Sequence, residues 1–122
     1  MADAETTGTE HAEQLSAVVT DRDGVRVVTL AGEIDHDTGD TLRRSLDGTG
    51  VPGLRVVADL DQVTFMDSSG INVLIAAHSA LTEAGGWLRV AAARNAVKRT
   101  LGLVGVDAFI DCRDTLEEAL AD

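Results

Sequence analysis

Between Leu54 and Ala92 the hydrophobic period of the chain changes twice, and this constrains the fold more than any other feature. Residues 54–60 are dense in Val and Leu, as a buried strand requires. Ile71, Leu74, Ile75 and Leu81 then recur at helical spacing, with His78 the one polar residue in that stripe. Gly85-Gly86 follows, and glycine tolerates the left-handed backbone that ends a helix. Trp87 to Ala92 returns to strand character. Strand, helix and strand in succession point to an α/β domain with a central sheet.

The flanks extend this pattern. Leu15 to Thr20 and Val25 to Ala31 read as strands joined by an Asp23-Gly24 hairpin turn, the second closing at Gly32. Asp37 or Thr38 can cap a helix that includes Leu42 and Leu46. Gly48 to Gly53, with Pro52, is a loop. Residues 61–67 form another loop before the long helix, which starts at Ser68 or Ser69 and runs to Ala84. Asn95 can cap a short helix through Leu101, stopped near Gly102. Ala108 to Asp111 reads as a short last strand and Thr115 to Ala121 as a terminal helix. The predicted class is α/β, with a mixed central sheet of about four to five strands and flanking helices. Residues 1–14 hold Asp3, Glu5, Glu10 and Glu13 with no base, and read as a disordered acidic tail. Residues 15–122 then form one domain, with no internal repeat.

Charge narrows the function classes. Lys and Arg number 10 against 21 Asp and Glu, a formal net charge of −11. Such a chain lacks the cations that phosphate-backbone binding and anionic membrane surfaces need. Phe65, Trp87 and Phe109 are its three aromatics, too few for a base-stacking platform. Neither nucleic acid nor membrane is an expected partner; a protein or a small ligand is. Cys112 is the single cysteine, so an internal disulfide and a cysteine zinc site are both excluded. The first Arg is Arg22, and the longest apolar run of the central segment is Val73 to Ala77. Neither a signal peptide nor a membrane span is expected, and the predicted location is cytoplasmic.

Several motifs fail on inspection. Residues 48–53 match GxGxxG, but a helix precedes them and a strand follows, the reverse of a dinucleotide site. Asp35 to Asp40 resembles the start of a calcium loop, but its glycine is one position early and Leu46 stands where a bidentate Glu is needed. His11, His36 and His78 form no metal-ligand spacing. Ser68 precedes Gly70 as in half of a nucleophile elbow, but Met66 breaks the other half. His78 lies ten residues along the same helix, roughly 15 Å away, beyond reach as a base. No base, metal or cofactor set emerges, so the expectation is a protein that is not an enzyme and holds no cofactor.

One segment carries chemistry: Leu60-Asp-Gln-Val-Thr-Phe-Met-Asp-Ser-Ser-Gly70. A strand ends, a loop follows, and two serines stand at a helix start. Helix N-termini carry unpaired N–H groups and partial positive charge, which Ser and Asp satisfy as caps. One residue can cap while another is presented to a partner.

The string FMDSSG, with VADLDQVT before it and a helix ending in Gly-Gly after it, resembles the phosphorylation-site region of the anti-sigma factor antagonists, which are STAS-domain proteins. Leu30-Ala-Gly-Glu-Ile-Asp-His36 resembles that family's Gly-Glu-hydrophobic-Asp motif, and Ala96-Val-Lys-Arg99 its later helix. The three motifs fall in the family's order over about residues 15–120. The resemblance implies a small mixed sheet with flanking helices. It also implies partner switching: the unphosphorylated antagonist binds an anti-sigma factor that is a serine kinase and frees the sigma factor. Phosphorylation by that kinase releases the antagonist, and a serine phosphatase resets it. Carried onto this chain, the phosphoacceptor is Ser68. Asp67 precedes it, Asp35 matches the acidic residue near the acceptor, and Ser69 and Gly70 complete the motif; these four are the expected partner-binding residues. Asn72 stands where relatives often have Gly, and Arg94-Asn95 where they often have Ser-Pro. A ligand-sensing STAS module and a scaffold subunit of a signalling complex are the alternative readings.

Overall fold

A computed structural model describes residues 9–12 and 14–121. The chain runs β1 (Thr9–Ala12), β2 (Leu15–Arg22), β3 (Val25–Ile34), α1 (Gly39–Ser45), β4 (Arg55–Met66), α2 (Ser68–Glu83), β5 (Trp87–Ala91), α3 (Asn95–Leu103), β6 (Asp111–Arg113) and α4 (Leu116–Leu120). All six strands join one sheet in the order β1-β2-β3-β4-β5-β6. The β1–β2 and β2–β3 pairs are antiparallel, and β3–β4, β4–β5 and β5–β6 are parallel. The expected mixed sheet with flanking helices is therefore present.

Alternation along the strands separates two apolar clusters. Val56, Ala58 and Leu60 of β4 meet Leu42 and Leu46 near α1, Ile71, Leu74 and Leu81 of α2, and Val97 and Leu101 of α3. Val57, between Val56 and Ala58, faces the other way and joins Val25, Ala91 and Ala119 of α4. Successive strand residues point to opposite faces, so α1, α2 and α3 cover one face and α4 covers part of the other.

Several boundaries differ from the sequence expectations. Residues 61–67 are not a loop: β4 continues to Met66, paired with β3 alone beyond Asp59. Two register shifts interrupt that pairing, and burial there recurs at Leu60, Val63 and Met66, every third residue. A bulged strand loses the simple alternation by which strands are read. Likewise β3 runs past Gly32 to Ile34. Val106 and Ile110 are both buried, four residues apart, and the chain forms a 3-10 turn at Val106–Ala108; the last strand accordingly starts at Asp111 rather than Ala108. The predicted tail over 1–14 includes Thr9–Ala12, which the structure pairs with β2. Residues 1–8 and Glu13 of that segment lie outside the described residues.

The helix starts are settled by different groups. Asp67 caps α2, its carboxylate accepting from the Ser69 N–H at 2.8 Å. Thr115 caps α4 by accepting from the Glu118 N–H at 3.1 Å, while the Glu118 carboxylate accepts from the Asp114 N–H at 3.2 Å. This reciprocal pair satisfies two otherwise orphaned donors. Thr38 precedes α1 without a side-chain cap bond, and Arg94, not Asn95, precedes α3.

Candidate functional site

The parallel pairing of β3 with β4 assembles the site. Ile34 lies opposite Met66 as both strands end, and the Asp67 N–H donates to the Ile34 carbonyl at 3.1 Å. Asp35 and Asp67 therefore leave adjacent strand ends side by side. Ser68 is the first residue of α2 and is exposed, while Asp67 and Ser69 are half-buried. Among the described residues nothing hydrogen-bonds the Ser68 hydroxyl, whereas Asp67 is committed to the helix cap. The capping role open in the sequence therefore falls to Asp67, and Ser68 is left exposed.

Asp35 is held by a local turn. Its Oδ1 accepts from the Asp37 N–H at 3.0 Å and the Thr38 N–H at 3.2 Å. The Thr38 hydroxyl accepts from the Asp35 N–H at 2.8 Å and donates to the Glu33 carbonyl at 3.0 Å. Thr38 is 1% exposed and ties the β3 exit to the start of α1. Such Asx turns fix a short acidic side chain against its own backbone. Sequence reasoning considered Thr38 as a cap for α1; its role is to orient Asp35.

Gly70 is buried because α2 approaches β3 closely there. A Cβ at this position would sit 2.5 Å from Ile34 Cγ2 and 2.9 Å from Met66 Cγ. Both neighbours are side chains, so some yielding is possible. Gly70→Ala is expected to cost about 1–3 kcal/mol of stability by overpacking, read as a lower urea midpoint with unchanged m-value. A midpoint equal to that of the parent chain would show that Gly70 is not the packing constraint described.

One exposed residue beside the site carries no site role in the sequence reading. Phe65 lies opposite Glu33 across β3 and β4 and is 47% exposed, three residues before Ser68. The strand position of Phe65 is hidden while residues 61–67 read as a loop; its only sequence signal is its place within FMDSSG.

Other candidates lie elsewhere. His78 is half-buried and packs its ring 5.5 Å from that of Phe109. Among the described residues no His, Cys, Asp and Glu group fits a metal ion. Burial, with Asp107 and Asp111 nearby, pushes the Cys112 thiol up to about 11, so it is protonated at neutral pH. A cavity of about 640 Å³ lies between α1, α2 and residues 48–53. It touches none of Asp35, Asp67 and Ser68. No helix among the described residues is long and apolar enough to cross a membrane.

A family model described as STAS domain matches residues 16–119. The chain belongs to the STAS family, among the anti-sigma factor antagonists. An anti-sigma F factor antagonist of Paenibacillus polymyxa is 31% identical over 101 residues, covering 81% of this chain and 86% of that protein. The crystal structure of an anti-sigma factor antagonist from Mycobacterium paratuberculosis superposes with a TM-score of 0.78 at 33% identity, covering 87% of this chain and 91% of that one. The Bacillus cell fate determinant SpoIIAA in its phosphorylated form shares the fold at 19% identity, with a TM-score of 0.64 over 85% of this chain and 96% of that one. These likenesses span the STAS unit that carries Asp35, Asp67 and Ser68.

Proposed function

We propose that this STAS protein is a partner-switching antagonist whose state is written on Ser68. Unphosphorylated, it binds an anti-sigma factor that is a serine kinase, and the sigma factor is released. The Ser68 oxygen attacks the γ-phosphorus of the kinase-bound ATP, the bond to ADP breaks, and the hydroxyl proton leaves to the kinase. The phosphorylated antagonist dissociates, and a serine phosphatase restores the hydroxyl by hydrolysis. This chemistry takes place in the cytoplasm, and the kinase and phosphatase supply the catalytic groups.

One observation carries the reading: Ser68 is exposed at the first position of α2 with its hydroxyl unengaged among the described residues, beside two carboxylates at adjacent strand ends. A hydroxyl buried or committed to a cap would be a poor acceptor. Asp67 performs the capping, which leaves Ser68 available. Asp35, Asp67, Ser69 and Gly70 shape the docking surface, and exposed Phe65 supplies an aromatic contact of the type enriched at interfaces.

Incubation with the cognate anti-sigma kinase and ATP is expected to place a single phosphate on Ser68, located by peptide mass spectrometry. Ser68→Ala is expected to bind the kinase and remain unmodified. Phosphate on Ser69, or none with a kinase that binds the chain, would overturn the assignment.

A further inference from the structure

We propose that the cavity between the β2–β3 turn, the start of β4 and the end of α4 binds a small phosphate-bearing ligand, held by Arg22 and Arg55 beside Trp87. The cavity measures about 190 Å³ and is lined by Arg22, Asp23, Val25, Arg55, Trp87 and Leu120. Arg22 is exposed and forms no ion pair among the described residues. Arg55 donates to the Gly24 carbonyl at 3.4 Å, a long contact that leaves most of its fork uncommitted. Asp23 also lines the cavity, but no ion pair joins it to either arginine. Among the described residues neither guanidinium has a carboxylate partner, and with Asp23 the lining holds two positive charges against one negative, the reverse of a chain with 21 acids and 10 bases.

The remaining walls define the ligand further. The Arg89 guanidinium lies 3.9 Å from the Trp87 ring centroid, and its Nη1 donates to the Ala119 and Ala121 carbonyls at 2.9 Å each. Trp87 is thereby fixed by a side chain that is itself fixed, so this wall is preformed. Guanidinium forks match the oxygens of a phosphate and prefer them to a point contact. Trp87 and Leu120 offer apolar surface to a short carbon group. The volume lies below the range of about 300–1,000 Å³ typical of sites for drug-sized ligands, so it suits inorganic phosphate or a phosphomonoester of a few carbons.

This site stands apart from Ser68. Arg55 begins β4 and Met66 ends it, roughly 35 Å of strand at the usual rise. A ligand there leaves the Ser68 end of the sheet uncovered, so the site does not depend on the function proposed above.

Trp87 is the only tryptophan, so its emission reports on the cavity directly. The intact chain is titrated with inorganic phosphate in one arm and glycerol phosphate in the other, at ionic strength held constant with chloride. A saturable change is expected in at least one arm, half-maximal at or below about 1 mM. Tighter binding of glycerol phosphate would identify a monoester as the ligand, and tighter binding of inorganic phosphate the free anion. Arg22→Ala removes an exposed side chain with no hydrogen-bond or ion-pair partner among the described residues, and is expected to raise the half-saturating concentration about tenfold or more with an unchanged far-ultraviolet spectrum. Arg55→Gln is expected to act in the same direction. No saturable change in either arm up to about 10 mM, or a change that Arg22→Ala leaves unaltered, would overturn the proposal.

Discussion

Replacing Ser68 by Asp is expected to weaken binding to the anti-sigma kinase about 30- to 1000-fold, a loss of about 2–4 kcal/mol. The new carboxylate would stand beside Asp67 and near Asp35, which the β3–β4 pairing brings to adjacent strand ends. Two like charges about 5 Å apart near a surface repel by roughly 3 kcal/mol before salt screens them. The α2 N-terminus offsets part of that, by about 0.3–1 kcal/mol, so the free domain stays folded. In a complex the helix end is covered, and burying an anion without a partner there accounts for the loss of about 2–4 kcal/mol. A phosphate carries about −1.5 to −2 charges and acts in the same direction more strongly. Ser68→Asn separates charge from size, because it matches Asp in shape. Calorimetric titration is expected to rank Ser68→Ala near the parent chain, Asn slightly weaker and Asp far weaker. Asn as weak as Asp would assign the switch to crowding, and Asp as tight as Ala would remove the electrostatic account.

The parts of the fold visible in the sequence are those with a single hydrophobic period. The first half of β4, the α2 stripe and the Gly85-Gly86 stop follow directly from residue spacing, because each buries one face against one layer. The second half of β4 does not, because register shifts against β3 replace alternation by burial at Leu60, Val63 and Met66. Strand β1 is the polar string Thr-Glu-His-Ala, held by backbone pairing to β2, and backbone pairing leaves no apolar signature. At the site, the helix start at residues 67–69 is legible because capping chemistry is local in sequence, whereas Ser68 as phosphoacceptor rests on the family resemblance. The nearness of Asp35 to them depends on a parallel strand pair between residues more than thirty positions apart. No spacing rule reaches that far, and in the sequence it rests on the family resemblance alone. Thr38, which orients Asp35 from a buried position, looks like an ordinary helix cap until its bonds to Glu33 and Asp35 are seen.

Gly32 controls that long-range pairing, and Gly32→Ala is expected to cost about 3 kcal/mol or more of stability. Its φ is +118°, a region that side-chain-bearing residues rarely adopt, and a Cβ there would overlap the Gln14 carbonyl. That carbonyl is backbone and is already committed, accepting from the Glu33 N–H at 2.9 Å, so it cannot step aside as a flexible side chain would. Gly50 supplies the comparison. Its φ is +82°, but a Cβ there would meet nothing within 4 Å. Gly50→Ala therefore carries the backbone strain without the overlap and is expected to cost about 1–2 kcal/mol. Urea midpoints of the two variants measure the difference, and equal losses would show that strain alone, not the close approach to Gln14, accounts for Gly32. The site should register the change as well. The register shift between Gly32 and Glu33 sets Ile34 opposite Met66, and through it Asp35 beside Asp67. A Cβ that forces the bulge to relax moves Asp35 away from the head of α2, so Gly32→Ala is expected to lose kinase affinity even under conditions where the domain remains folded, while Gly50→Ala keeps it.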